Sequence, residues 1–313
     1  MRAVICRQQG PVDQLEFGEL PDPEPGPGEV VIDVRVAAHN FPDTLIIEGK
    51  YQFRPEPPIS PGGEAAGVIS AVGEGVDWEV GTPVVAVHTQ GAFAEKWLVP
   101  AAVTLPLPPG LTFERAAGFT MTYGTSYYAL KQRADLQPGE TLLVLGAAGG
   151  VGSAAVELGK AMGATVIAAV STAEKAAFAA SLGADHTINY GKDDLRETIK
   201  ELTGGTGADV VYDPVGGELS EPAFRSITWN GRFLVIGFAA GDIPSVPLNL
   251  PLLKGASIVG VFWGSWIRRS PAEAAASFRE RYEMAAAGTI EPRRSALHDF
   301  ENYAEARAEL ASR

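Results

Sequence analysis

Residues 141–164 read TLLVLGAAGGVGSAAVELGKAMGA, and this stretch decides how the rest of the chain is interpreted. An apolar strand is followed by Gly149, Gly150 and Gly152 and then by a helix with an apolar face. The first N–H groups of a helix have no partner within it, so a strand-to-helix turn of this kind attracts a pyrophosphate. We therefore predict that the segment from Ala148 to Val151 binds the phosphates of a dinucleotide.

The glycine spacing departs in one place from the GxGxxG pattern. Ala147 stands where the first glycine is expected, although Gly149 still lets the backbone approach phosphate and Gly152 still permits close packing of the helix. A glycine-rich turn without a ligand is the alternative interpretation. The strand before the motif and the helix after it favour the nucleotide site.

The end of the next predicted strand indicates which dinucleotide is bound. NAD enzymes place an acidic residue there, about 20 residues after the motif, but here the strand ends in Ser171 and Thr172. Ser171 can donate a hydrogen bond to a 2′-phosphate and Lys175 can supply a positive charge, which favours NADPH over NADH. The alternative is that Ser171 and Glu174 form a capping box and that Lys175 is a solvated helix residue.

From residue 119 to residue 264 short apolar runs alternate with helical patterns. The predicted strands are Leu142–Leu145, Thr165–Ala169, Val210–Tyr212, Phe233–Ile236 and Ile258–Val261. The predicted helices between them include Ser153–Met162, Lys175–Leu182 and Asp194–Leu202. Near-continuous apolar strands that alternate with helices form a parallel sheet covered on both faces. The sequence therefore predicts an α/β chain that contains a doubly wound, Rossmann-type domain.

The N-terminal segment has a different character. As far as about Pro109, short apolar runs are cut by glycine and proline, and the run at Val30–Val36 alternates as VVIDVRV. The other predicted strands are Ala65–Val72, Val84–Val87 and Phe93–Val99. This pattern is typical of a compact, mostly antiparallel β-barrel.

Two helical patterns near the C-terminus complete the predicted organisation. They lie at Pro271–Ala287 and Tyr303–Leu310, and we expect them to pack back on the barrel. The predicted domains are residues 1–118 with 265–313, and residues 119–264. A cleft between two such domains is a common place for a ligand.

Composition disfavours several classes of function. The chain of 313 residues carries a formal net charge of −13, which would repel a nucleic-acid backbone. Cys6 is the only cysteine and the four histidines are scattered, so we expect neither an internal disulfide nor a bound metal. No apolar run is long enough to span a bilayer, and the N-terminus lacks the apolar core of a secretory signal, so we expect a cytoplasmic protein with no membrane partner.

Five blocks of sequence, in order along almost the whole chain, carry a resemblance to a known family. They are HNFPDTLIIEGKY at His39–Tyr51, PGGEAAGVISAVGEGV at Pro61–Val76, MTYGTSYYAL at Met121–Leu130, AAGGVG at Ala147–Gly152 and VVYDPVGG at Val210–Gly217. In these blocks the chain resembles the zinc-free quinone oxidoreductases, the zeta-crystallin-like branch of the medium-chain dehydrogenase/reductase superfamily. The resemblance implies a GroES-like barrel domain with an inserted Rossmann domain, NADPH in the cleft, and a homodimer.

The resemblance also implies an active-site cluster. Asn40, Asp43 and Tyr51 match family positions near the nicotinamide, and Thr125 matches the residue beside its carboxamide. From the residues alone, Asn40 and Asp43 are equally compatible with a turn around Pro42, and Tyr51 with a packing role. The four matched residues are the candidate catalytic residues, and Thr125 is also a candidate for cofactor binding.

Other positions match the family's cofactor contacts, three around the 2′-phosphate and three in loops that follow late strands. They are Ser171, Lys175 and Tyr190 for the phosphate, and Gly237, Phe238 and Phe262 for the loops. The match around the phosphate agrees with the charge argument above. Filling of the core or of an interface is the alternative role for Phe262.

The reaction implied is hydride transfer from NADPH to a quinone, which needs little acid catalysis because the reduced oxygens can take protons from solvent. The alternative is reduction of an enoyl thioester or another α,β-unsaturated carbonyl. That reaction needs a proton donor, for which Tyr51 is the candidate. A noncatalytic, crystallin-type NADPH-binding protein is a third interpretation.

Two features depart from the wider superfamily. Zinc-binding members have a Cys and His pair in the barrel and a four-cysteine lobe, and this chain has neither. Relatives also usually continue after the final helix into a Gly-Lys and an apolar strand, whereas this sequence stops at Arg313. Cofactor contacts from such a tail are therefore not assigned.

Overall fold

The computed structural model describes residues 1–293 and 296–306, and the chain divides into two compact units. The first unit comprises Met1–Met121 together with the chain from Pro292, and the second comprises Thr122–Glu291. Each unit has its own hydrophobic core.

The first unit is built on antiparallel strands. They are β1 (Arg2–Ile5), β2 (Glu16–Glu19), β3 (Glu29–Ala38), β4 (Glu64–Val72), β5 (Pro83–Val87), β6 (Lys96–Pro100) and β7 (Thr104–Pro106). The order β6-β3-β4-β5-β7 forms one sheet, and β1 pairs with β2. Isolated bridges from Ala3 to Ala94 and from Cys6 to Ile59 tie this pair to the loops beside the sheet.

Alternation along the strands places the core of the first unit on one face of the sheet. Val30 and Ile32 of β3 pack with Trp97 of β6 in one buried cluster, while Arg35 is exposed. The Trp97 indole donates a hydrogen bond to the Gln90 carbonyl oxygen at 2.7 Å, which satisfies its only polar group. The helices of this unit are α1 (Phe41–Ile47), α2 (Phe113–Ala116) and the start of α3 (Phe119–Tyr127).

The second unit contains a six-stranded parallel sheet. Its strands are β8 (Thr141–Leu145), β9 (Thr165–Val170), β10 (His186–Asn189), β11 (Ala208–Asp213), β12 (Ile227–Val235) and β13 (Ser257–Gly260). Their order is β10-β9-β8-β11-β12-β13. Strands are added to one side of β8 as far as β10, and then to its other side from β11 to β13. This is the strand order of the Rossmann fold, and it confirms the predicted fold class.

Helices connect the strands of the second unit. They are α4 (Gly150–Ala161), α5 (Ala173–Ser181), α6 (Leu195–Leu202), α7 (Ser220–Arg225), α8 (Asn249–Lys254), α9 (Trp263–Arg269) and α10 (Pro271–Ala286). The end of α3 also belongs here and continues as a π-helical segment, Tyr128–Arg133. No helix within the described ranges is both long and apolar enough to cross a membrane.

The unit boundaries differ from those predicted from sequence. We expected the chain from residue 265 onward to pack on the barrel, but α10 lies in the second unit. The reason is a set of contacts with the end of α3: the Tyr127 hydroxyl donates to Glu280 at 2.5 Å, and Trp266 stacks on Tyr128. The predicted helix Tyr303–Leu310 extends beyond the described residues.

Candidate active site

The phosphate-binding motif forms a tight connection between β8 and α4. Gly149 is the N-cap of α4 with extended backbone angles, and the amide of Ser153 closes the first helical bond onto the Gly149 carbonyl. The N–H groups of the first turn, from Gly150 to Gly152, precede that bond and are the ones a helix leaves for a ligand. Gly149 and Gly150 are exposed, so their backbone is accessible.

Space requires a glycine at position 152 and leaves little room at position 150. A Cβ atom on Gly152 would lie 2.2 Å from the Gly146 carbonyl oxygen, and one on Gly150 would lie 3.2 Å from the Thr122 methyl group. Real side chains do not tolerate the first distance, so the helix start packs directly on the turn that follows β8. Ala147, the departure from the motif, is fully buried and leaves this cradle intact. The loop therefore fits a pyrophosphate.

The three residues predicted to surround a 2′-phosphate lie together. Lys175 Nζ donates to Ser171 Oγ at 3.2 Å, and Tyr190 is hydrogen-bonded to Ser171 as well. Thr172, and not Ser171, caps α5 by accepting a bond from the Lys175 amide at 3.2 Å. The capping-box interpretation of Ser171 is therefore wrong, and its hydroxyl is available to the cluster.

A groove of about 730 Å³ extends from Tyr190 between the segments that follow β10 and β11. Its walls carry carboxylates, including Asp193, Asp194 and Glu218, together with Arg196. An anion would be repelled from these walls, whereas Lys175 supplies a positive charge beside Ser171. The charge pattern therefore favours Lys175 and Ser171, over the walls of the groove, for the predicted 2′-phosphate contact.

The remaining cofactor candidates occupy loops and a helix of the second unit. Gly237 and Phe238 follow β12, and Phe238 lies against Gly216, whose φ of +73° suits only glycine. Phe262 is the N-cap of α9 and is 49% exposed. Thr125 lies on α3 and is partly buried. These four positions are accessible, and their assignment stays a prediction.

A buried polar cluster forms in the first unit from residues that are distant in sequence. Asn40 is the N-cap of α1, and its amide N–H donates to Asp43 Oδ2 at 2.7 Å. The Asn40 side chain donates to Glu64 Oε2 at 3.1 Å, and the Met121 amide donates to Glu64 Oε1 at 2.8 Å. Glu64 therefore joins Asn40 to the start of α3.

Two carboxyl groups in this cluster have perturbed acidity. Burial raises the pKa of Glu64 to about 8, although the Met121 amide and the Asn40 side chain oppose the shift. Burial likewise raises the pKa of Asp43 to about 7 against hydrogen bonds from the Asn40 and Gly63 amides. Such perturbed groups are concentrated at functional sites, so the cluster is a candidate for one.

Glu64 was missed in the sequence analysis. A single glutamate in the apolar strand EAAGVISAV was the available signal, because a lone buried charge needs partners. The Tyr51 ring packs on an apolar cluster formed by Cys6, Ile46, Ile47 and Ile59. This contact agrees with a packing role for Tyr51.

The donor set does not fit a zinc ion. Among residues 1–293 and 296–306 there is no group of three or more His, Cys, Asp or Glu side chains arranged to hold a metal. Cys6 is buried, and its thiol is hydrogen-bonded to the Gln8 carbonyl. No chemical step is therefore assigned to a metal.

Comparison with known proteins identifies the class. Residues 26–109 match the family described as "Alcohol dehydrogenase GroES-like domain", and residues 150–280 match "Zinc-binding dehydrogenase". Quinone oxidoreductase-like protein 2 of Rattus norvegicus is 35% identical over 96% of this chain and 86% of its own length. The 2-haloacrylate reductase of a Burkholderia species is 38% identical over 77% of this chain and 74% of its own length.

A solved structure shows the same fold. Escherichia coli quinone oxidoreductase complexed with NADPH superposes with a TM-score of 0.91 at 30% identity, covering 100% of this chain and 97% of that one. The chain belongs to the medium-chain dehydrogenase/reductase superfamily and, within it, to the quinone oxidoreductase-like proteins. It is accordingly an oxidoreductase, as its sequence blocks implied.

The buried carboxyls predict a pH-dependent stability. Their folded-state pKa values of about 7 and about 8 lie above those of an unfolded chain, so the folded state binds more protons. The free energy of unfolding should therefore fall as pH rises from about 4 to about 8, by up to about 1.4 kcal/mol per pH unit for each group.

Glu64→Gln should flatten this slope in urea titrations performed across that pH range. Glu74→Gln is the matched control, because Glu74 is exposed and should leave the slope unchanged. An unaltered slope in the Glu64 variant would contradict the assignment.

Proposed function

We propose that the protein is an NADPH-dependent oxidoreductase that passes a hydride to a quinone without a metal. The observation that carries the proposal is the Ser171, Lys175 and Tyr190 cluster beside an open phosphate loop. No carboxylate occupies the Ser171 position to accept hydrogen bonds from a ribose 2′-hydroxyl, and Lys175 suits a phosphate instead. The quinone oxidoreductase-like relatives support the acceptor.

The cofactor would be held at several points of the second unit. The N–H groups of the loop from Ala148 to Val151 would donate to the pyrophosphate, and Lys175 would neutralise the 2′-phosphate. Gly237, Phe238 and Phe262 would line the remaining contacts. When bound, NADPH supplies a hydride from its nicotinamide ring.

The residues matched to the nicotinamide position are Asn40, Asp43, Tyr51 and Thr125. Asn40 has a fixed direction because its side chain is bonded to Glu64 and its main chain to Asp43. An amide side chain held in a fixed direction can orient the carbonyl group of an acceptor. Orientation of the acceptor is the main contribution of the protein to such a reaction. The Thr125 hydroxyl is proposed to bind the carboxamide.

A second function is favoured by one relative. The 2-haloacrylate reductase of Burkholderia is similar over three quarters of this chain, and a haloacrylate is an activated alkene. Alkene reduction requires a proton at carbon, for which Tyr51 is the candidate donor. The quinone reaction needs no such donor, and the quinone oxidoreductase-like relative matches more of this chain, so alkene reduction is the second choice.

We also propose a homodimer formed through the β13 edge of the sheet. Large side chains on β12 and on the segment that leads into β13 are exposed: Trp229 at 68%, Leu248 at 81%, Leu252 at 78% and Leu253 at 68%. Between Asp242 and Arg268 the only charged residue is Lys254, whose Nζ donates to the Ile227 carbonyl. In a chain of net charge −13, this neutral surface is one on which two copies can meet without repulsion.

The acceptor is tested by initial rates of NADPH and NADH oxidation against a matched panel of small quinones, enoyl thioesters and haloacrylates. We expect quinone turnover with NADPH preferred. Faster turnover of the alkenes would establish the second function instead, and tight NADPH binding with no turnover would indicate a noncatalytic protein.

Cofactor preference is tested by Lys175→Ala. Loss of the ammonium should weaken NADPH binding about 10-fold or more and leave NADH nearly unchanged, since a charge-assisted hydrogen bond is worth about 1.5–3 kcal/mol. Calorimetric titration with both cofactors measures this. Lys200→Ala, which changes an exposed lysine of α6, is the control, and equal losses for both cofactors would refute the 2′-phosphate assignment.

The dimer is tested by Leu252→Glu, which places a charge on the apolar surface. Sedimentation velocity should show a dimer for the parent protein and a monomer for the variant, because burying an unpaired carboxylate is costly. Phe178→Glu, at an apolar residue of α5 that is 37% exposed, should leave the dimer intact. A parent protein that sediments as a monomer would contradict the proposal.

A further inference from the structure

A buried hydroxyl meets three other groups behind the phosphate loop. Ser126 of α3 has its Oγ 2.9 Å from the Val151 carbonyl oxygen, 3.0 Å from the Thr122 carbonyl oxygen and 2.8 Å from the Tyr212 hydroxyl. Ser126 and Tyr212 are both 0% exposed. Their hydrogen bonds therefore form away from competing water, where each is strong and costly to lose.

The direction of these bonds follows from the number of protons. The two hydroxyls carry one proton each, whereas both carbonyls can only accept. Ser126 is the sole partner of the Tyr212 hydroxyl among the described residues, and burial raises the pKa of Tyr212, which keeps its proton in place. Tyr212 thus donates to Ser126. The single Ser126 proton is shared between the Val151 carbonyl at 2.9 Å and the Thr122 carbonyl at 3.0 Å.

The bond to Val151 acts on the phosphate-binding turn. The Val151 carbonyl and the Gly152 N–H belong to one planar peptide unit and point in opposite directions. Gly152 N–H is one of the groups that the first turn of α4 presents to a ligand. A hydrogen bond to the carbonyl side of this unit fixes its tilt and polarises the N–H on the other side.

The same peptide is also fixed on the Gly152 side. Gly152 packs so closely on the Gly146 carbonyl that there is no room for a Cβ atom. The peptide is therefore packed against the turn after β8 at Gly152 and hydrogen-bonded to the Ser126 hydroxyl at Val151. Tyr212, on the neighbouring strand β11, orients that hydroxyl.

We propose that Ser126 and Tyr212 are positioning residues that set the orientation and donor strength of the pyrophosphate-binding peptide. The inference rests on the proposed function, because it requires a dinucleotide in the loop. Both side chains are fully buried, so we expect them to act through the Val151 peptide without contacting the ligand.

The test compares two ligands that share only one end. NADPH carries the pyrophosphate, whereas adenosine 2′-monophosphate carries the adenosine and its 2′-phosphate alone. Ser126→Ala and Tyr212→Phe should bind NADPH about 3- to 10-fold more weakly, as expected for one buried hydrogen bond, and should bind the monophosphate like the parent protein. The variants should also raise KM for NADPH while kcat at saturation stays unchanged.

Two controls complete the experiment. Ser226→Ala removes a buried hydroxyl directly after α7 that also donates to the carbonyl four residues earlier, and it should not alter NADPH binding. The double variant of Ser126 and Tyr212 should resemble Ser126→Ala alone, because the two residues act in one chain of hydrogen bonds.

Three outcomes would overturn the inference. NADPH binding by Ser126→Ala equal to that of the parent protein would remove the role of the hydroxyl. Equal losses for both ligands would show that the pair only supports the fold. A parent protein that binds the monophosphate or NADPH not at all would instead reject the proposed function, and the inference with it.

Discussion

The close approach of α4 to the turn after β8 is the constraint on which the second unit depends. Because Gly152 has no side chain, the helix start can press against the Gly146 carbonyl, and this contact aims the first N–H groups outward. A larger residue would push the helix from the sheet and turn those groups away. One glycine thus serves both the packing of the helix and the proposed recognition of the pyrophosphate.

A second constraint is electrostatic. A chain with a net charge of −13 is poorly suited to attract an anionic cofactor, so any phosphate site depends on local arrangement. Lys175, placed beside Ser171 by the first turn of α5, supplies that arrangement although carboxylates line the neighbouring groove. The sign of the local charge, not of the whole molecule, decides where a phosphate can bind.

The first unit shows how burial changes acid groups. Asp43 and Glu64 would be ordinary carboxylates on a surface, but exclusion of water makes their ionised forms costly. Amide donors from Asn40, Gly63 and Met121 offset part of that cost. The cluster is therefore held together by the need to satisfy two acids, and Asn40 acquires a fixed orientation in consequence.

The individual strands, helices and turns could be predicted from the sequence, because the spacing of apolar residues and the turn residues reflect interactions among residues a few positions apart. Strands such as β8 and β9, the phosphate loop and the Ser171 and Lys175 pair were all predicted in this way. The short strand β10 and the packing of α10 were not, because each is stabilised by partners elsewhere in the chain.

The sequence by itself determined the class of fold, the glycine-rich turn proposed to bind the pyrophosphate and the residue types proposed for a 2′-phosphate. Only the tertiary structure decided that Glu64 reaches Asn40, 24 residues away, and that Tyr212 reaches Ser126, 86 residues away. Such pairs leave no periodic signal, because a hydrogen bond between distant residues depends on how strands and helices pack. That packing is a property of the whole unit and not of any one segment.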